Sequence, residues 1–230
     1  MAQKIQKDSA TAAARVGLAN FLQRHRSVLL IGIVTILVVL AGFATWSIWT
    51  QSVQVKYANK VEQIETSYNK WKQETDTTKK QKLAQTLEAE MTAVEKSAPN
   101  SYGLLKTYYI QGEYLETQKK YAEASAVFHK VFELDSSNYL APISLLNAAV
   151  CLENAGNEVQ AEALYVLFQK KFPQDKVLGP QVGFSLGRIY ELQNKPSLAI
   201  ASYKKVVDNS TESDWAKLAR DRLFLLQPAK

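Results

Sequence analysis

One cysteine, two histidines, six prolines and nine glycines in 230 residues exclude several kinds of protein at once. A lone thiol, Cys151, permits no disulfide within the chain, so stability rests on packing. His25 and His129 are far apart and form no Cys/His cluster with metal-ligand spacing, so no metal site is expected. Cys151 stands in no nucleophile signature and reads as a small buried thiol. The glycines form no phosphate loop: residues 179–183 (GPQVG) lack the Lys-Ser/Thr that would follow. Acidic pairs such as Glu88/Glu90 and Glu113/Glu116 are what any solvated helix face carries. Catalytic residues, cofactor-binding residues and metal ligands are therefore all expected to be none, the chain is no enzyme, and binding is left as its function. Few helix breakers, with abundant Ala, Leu, Glu, Lys and Gln, predict an almost wholly helical chain.

One further absence organises the sequence. No charged side chain occurs between Ser27 and Val55, and residues 28–48, from Val28 to Ile48, are a near-unbroken apolar run. A helix of that length is roughly 32 Å long, about the hydrocarbon thickness of a bilayer. Lys4, Lys7, Arg15, Arg24 and Arg26 precede it against the single acid Asp8. Cationic flanks stay in the cytoplasm, which sends the rest of the chain outward. Trp46 and Trp49, three apart at the far end, suit anchors at the outer interface. Residues 42–44 (GFA) could pass as a signal-peptidase site, but the basic segment is long and hydrophobicity continues through Trp46, Ile48 and Trp49. The expectation is a single-pass anchor in a bacterial inner membrane, with a cytoplasmic N-terminus and a periplasmic C-terminal domain. The net charge of +6 sits largely in the N-terminal segment, where it serves topology, so no nucleic-acid partner is expected.

The remainder repeats. Ala124, Ala161 and Ala199 are each followed four residues later by Phe128, Tyr165 and Tyr203, and three further on by Val131, Phe168 and Val206. Upstream, Gly112, Ala149 and Gly187 precede Leu115, Leu152 and Tyr190 by three. Small residues let two helices approach closely, and the aromatics fill the wedge between consecutive pairs. Pro142 and Pro180 are expected at the first position of their helices. Residues 154–157 (NAGN) and 193–195 (QNK) are read as turns within pairs. A worn unit precedes these three, with Leu87, Met91 and Val94 in its second helix, Trp71 in its first, and residues 74–80 as the turn.

This pattern resembles the tetratricopeptide repeat (TPR) over residues 105–211, most sharply at Leu186, Gly187 and Tyr190, which match the family's L-G-x2-Y. The spacings of 37 and 38 residues exceed the family's usual 34, which predicts lengthened helices or turns. The expected fold is all-α: one transmembrane helix, then a TPR-type α-solenoid of about three repeats with a degenerate first repeat and a C-terminal capping helix. The boundaries are 1–27 for a basic stub, 28–48 for the span and 49–100 for a stalk helix with the degenerate repeat. The three repeats occupy 101–211, and 212–230 holds the cap, in which Trp215, Leu218, Leu223 and Leu226 are available for packing. In this fold the first helices of the pairs line the surface where partners sit. The groove positions would be Lys106, Tyr109 and Glu113, then Ile143, Leu146 and Val150, then Gln181, Phe184 and Arg188. The pattern is equally compatible with Ile143, Leu146 and Val150 packing on a neighbouring repeat.

The layout also resembles the YfgM family, and residues 95–105 (EKSAPNSYGLL) carry a local likeness. That resemblance implies an ancillary subunit of the SecYEG translocon that works with a membrane-anchored periplasmic chaperone and meets exported client chains. A static scaffold in an envelope assembly, such as a secretion or motility machine, is the alternative.

Overall fold

The structure is a computed structural model and describes residues 23–98, 101–210 and 212–226. Lys4, Lys7, Asp8 and Arg15 of the basic segment, together with Pro99, Asn100, Thr211 and the tail 227–230, lie outside the described residues. The described residues are helical throughout, with no strand among them. The chain divides into two units between Val53 and Gln54, inside the first helix, α1 (Arg26–Gln73).

In the first unit, α1 contains a stretch long and apolar enough to cross a membrane by length and composition. Its large side chains, Val28, Leu37, Phe43 and Trp46 among them, are exposed. The Thr35 and Thr45 hydroxyls donate to the carbonyls of Ile31 and Ala41, four residues back. Each hydroxyl is thereby satisfied by its own helix.

In the second unit α1 changes character. Tyr57, Val61, Ile64, Tyr68 and Trp71, spaced four, three, four and three apart, form one buried stripe. After a short turn comes α2 (Thr77–Ser97), which buries Leu87, Met91 and Val94. The turn is shorter than its polar sequence suggests. Asp76 accepts the Lys79 N–H at 2.8 Å, and that cap starts α2 at Thr77, inside the run expected to be loop.

Three hairpins follow: α3 (Tyr102–Thr117) with α4 (Tyr121–Leu134), α5 (Leu140–Asn154) with α6 (Glu158–Lys171), and α7 (Gly179–Leu192) with α8 (Pro196–Asn209). A single helix, α9 (Asp214–Leu226), closes the series. The second helices bury the repeated triplets: Ala124, Phe128 and Val131; Ala161, Tyr165 and Phe168; Ala199, Tyr203 and Val206. Burying a large side chain of this kind contributes roughly 1.5–3 kcal/mol, so the triplets supply much of the cohesion. A Cβ added at Gly112 would meet the Phe128 ring at 2.6 Å, and one at Gly187 would meet the Tyr203 ring at 2.5 Å. The small residue is thus required by the aromatic opposite.

The turns inside the hairpins share one geometry. Lys119, Gly156 and Asn194 have φ of 61°, 73° and 55°. The next N–H in each case donates to the carbonyl five residues back: Lys120 to Leu115 at 2.9 Å, Asn157 to Leu152 and Lys195 to Tyr190 at 2.8 Å. These are Schellman motifs, closed on the residues that define the repeat pattern. Each loop that leads into the next first helix, or into α9, is also held by a side chain that accepts backbone N–H groups. Ser101 accepts from Leu104 N–H, Asn138 from Leu140, Asp175 from Val177 and Leu178, and Ser213 from Ala216. Asn138 and Asp175 are 37 apart while Ala149 and Gly187 are 38 apart, so the extra residue of the longer interval lies in the loop before α7.

Two expectations are corrected. Pro142 is the third residue of α5, because Leu140 already starts the helix; it remains in the first turn, where its missing N–H is tolerated. Pro180 is the second residue of α7. In α9 the buried residues are Ala216 and Ala219, with Trp215, Leu223 and Leu226 partly buried, whereas Leu218 is exposed. The small alanines let α9 approach α8 closely, which turns Leu218 outward.

Candidate functional site

The first helices of the hairpins, with α1 before them and α9 after, are joined side by side through one row of side chains. Lys106 of α3 pairs with Glu65 of α1 at 2.9 Å. The hydroxyl of Tyr139, the residue before α5, donates to that of Tyr102 on α3 at 2.6 Å, and the two rings lie 5.7 Å apart, tilted by 30°. Asn147 of α5 donates to Tyr109 of α3 at 3.4 Å. Arg188 of α7 forms an ion pair with Glu153 of α5. Phe184 of α7 lies 5.5 Å from the Trp215 ring of α9. These contacts make a continuous face from α1 to α9.

Eight of the nine groove residues named from the sequence keep some part of the side chain accessible. Lys106 also lies over the Tyr109 ring at 5.5 Å, and Tyr109 meets Phe128 edge-on at 5.6 Å. Ile143 and Val150 are partly buried against the core, Gln181 and Phe184 are half-buried, and Arg188 is exposed. Leu146 differs: at 2% exposure it belongs to the core. The reason is visible in α5, which buries nine of its fifteen residues between its neighbours and so has little free face. A cleft of about 420 Å3, lined in part by Phe172, Lys176, Pro180, Lys205 and Asp208, includes none of the nine.

The electrostatics of the face are uneven. Burial pulls the Lys106 ammonium down, but the hydrogen bond and charge of Glu65 outweigh it, and its pKa ends above the usual lysine range. Burial pushes the Glu113 carboxyl up, with Lys106 and Lys72 partly opposing. Burial alone pushes the Glu116 carboxyl up. Burial, then the Glu116 charge, raises the Cys151 thiol to about 12, so Cys151 is protonated and inert. Among the described residues no three His, Cys, Asp or Glu side chains are grouped so as to hold a metal ion.

Sequence reasoning missed several residues on this face. Tyr102, Tyr139 and Asn147 knit α3 to α5, yet they lie outside the small-aromatic pattern that reveals the repeat. Their signal was a shared period: Tyr139 follows Tyr102 by 37 residues. Glu153 carried no mark in the sequence of being the partner of Arg188.

The tetratricopeptide repeat family model matches residues 105–138, which span the end of α3's first turn through α4. A curated "TPR repeat-containing protein" of Treponema pallidum (strain Nichols) is 25% identical over 119 residues, 52% of this chain and 46% of its own length. The chain thus spans about half the length of that relative. A crystal structure of PcrH in complex with the chaperone binding region of PopB aligns with a TM-score of 0.45 at 15% identity, covering 55% of this chain and 97% of that one. The chain therefore carries a tetratricopeptide repeat within an all-α helical-repeat fold, the kind of domain that binds other proteins.

Proposed function

We propose that this chain is a non-enzymatic, membrane-anchored TPR protein that holds protein partners on the exported side of a bacterial inner membrane. In this reading it is an ancillary subunit of the translocon and chaperone network. The observation that carries the binding role is the continuous face from α1 to α9, mixed aromatic and charged, which suits an extended or amphipathic segment. The uncharged, exposed stretch of α1 and the return of its Thr35 and Thr45 hydroxyls to the helix backbone support the anchor, since lipid offers no hydrogen-bond partners. The YfgM likeness supports the translocon role.

The test uses a photo-crosslinking residue in the full-length protein in membranes. At Tyr139, which is 68% exposed, it should capture translocon, chaperone or exported chains; at Lys130 on α4 it should not. Capture from Lys130 alone would move the binding surface to the other side of the repeats. A single stoichiometric partner that survives high salt would favour the static scaffold instead. A reporter fused after Lys230 that is active only in the cytosol would overturn the topology.

A further inference from the structure

Three glutamates recur at one register of the first helices: Glu116, Glu153 and Glu191, 37 and 38 residues apart. Two of them are neutralised by an arginine of the next helix in the row. Glu153 of α5 is paired with Arg188 of α7. Glu191 of α7 accepts from Arg222 Nε of α9 at 3.0 Å and is also ion-paired with the same guanidinium. The third pairing is missing. At the register of Arg188, the intervening repeat has Val150. The Glu116 carboxylate makes no ion pair or hydrogen bond among the described residues, although the residue is half-buried. Glu113 lies one turn away on the same helix and is half-buried too. Resting on the face proposed above, we infer that Glu116, with Glu113 beside it, receives an arginine or lysine side chain from the bound partner, which supplies the cation that Val150 does not.

The surroundings fit such a side chain. Val150, partly buried beside the core, offers an apolar wall for its methylenes, while the Tyr109 ring one turn before Glu113 is already engaged by Lys106 and Phe128 and closes that side. A desolvated carboxylate gains most from a cation that arrives with its own hydrogen-bond donors. Burial raises the pKa of both carboxyls; Lys106 and Lys72 partly offset it at Glu113, whereas no cation offsets it at Glu116. The occupant is therefore an amphipathic protein segment with a basic residue set among apolar ones.

The experiment uses full-length protein in mild detergent and a fluorescent dodecapeptide of leucine and serine with one central arginine. Its counterpart carries citrulline, which keeps the shape and removes the charge. The arginine peptide should bind at least about tenfold more tightly, the size of one charge-assisted hydrogen bond. Glu116→Gln should abolish that preference. Val150→Arg should abolish it as well, by completing the internal pair, while circular dichroism shows the helices intact. Equal binding of the two peptides to the wild type, or an unchanged preference in Glu116→Gln, would overturn the inference while leaving the face in place. If neither peptide binds and the Tyr139 crosslinker captures nothing, the face itself is not a binding surface and both readings fall.

Discussion

Single residues set the quality of each turn. Lys119 holds a left-handed conformation that Gly156 and Asn194 adopt more readily, because a Cβ crowds the following carbonyl there. Lys119→Gly should therefore raise stability by about 0.5–1 kcal/mol, the relief of that crowding less glycine's greater freedom in the unfolded chain. A rise of a few degrees in thermal midpoint would show it; a fall would mean that the Lys119 side chain makes a contact worth more than the strain. Neither residue of this turn was legible beforehand. Lysine is not a turn former, so only its place in the period, 37 before Gly156, could have revealed it. By contrast, the glycines at 112 and 187 were readable as small, because the aromatic that needs the space recurs at a fixed distance.

At the level of the element, α9 illustrates how a terminal helix is held. Beyond Ala216 and Ala219 and the contact of Trp215 with Phe184, it is tied to α7 by Arg222 and Glu191, and Glu191 also accepts the Tyr203 hydroxyl at 2.5 Å. The Arg222 guanidinium, with help from Tyr203, holds the Glu191 carboxyl below its ordinary range. A carboxylate whose folded pKa is depressed stabilises the fold above its unfolded pKa, and that contribution disappears as pH falls through the folded value. The loss therefore begins near the ordinary glutamate pKa of about 4.3 and completes below it. Amide hydrogen exchange in α9 should accelerate below about pH 4 ahead of exchange in α5, and Arg222→Gln should remove that pH dependence. Equal acceleration in both helices would mean that α9 has no separate attachment. The existence of α9 was legible from its amphipathic pattern, and so was most of its inward face, since Trp215, Leu223 and Leu226 pack against the core; the exposure of Leu218 and the close approach at Ala216 and Ala219 were not.

For the molecule as a whole, the repeat period carried most of the fold. The triplets in α4, α6 and α8 lie where the spacing places them, and so do Leu87, Met91 and Val94 of α2. The proposed binding face was harder to read. α5 is apolar on nearly every side, so periodicity cannot separate a groove residue from a core residue, and Leu146 was indistinguishable from Val150. Pairings between successive first helices, such as Glu153 with Arg188, join residues 35 positions apart and leave no local trace.

The three hairpin turns are also unequal in a way that bears on how the chain acquires its structure. Only the middle one combines glycine at the left-handed position with a side chain that caps the next helix, Asn157 accepting from Gln160; Lys120 and Lys195 cap nothing. Local bias is thus greatest at the centre, and in an array of near-neighbour contacts order can start anywhere and spread. The central pair should form first during refolding, with the flanks condensing on it. Stopped-flow measurements should find that Asn157→Ala slows refolding several-fold while Lys120→Ala changes it by less than about twofold. A chain that leaves the ribosome or a channel from its N-terminus would then keep its first hairpin waiting, open to proteases and chaperones alike, until Asn157 has emerged.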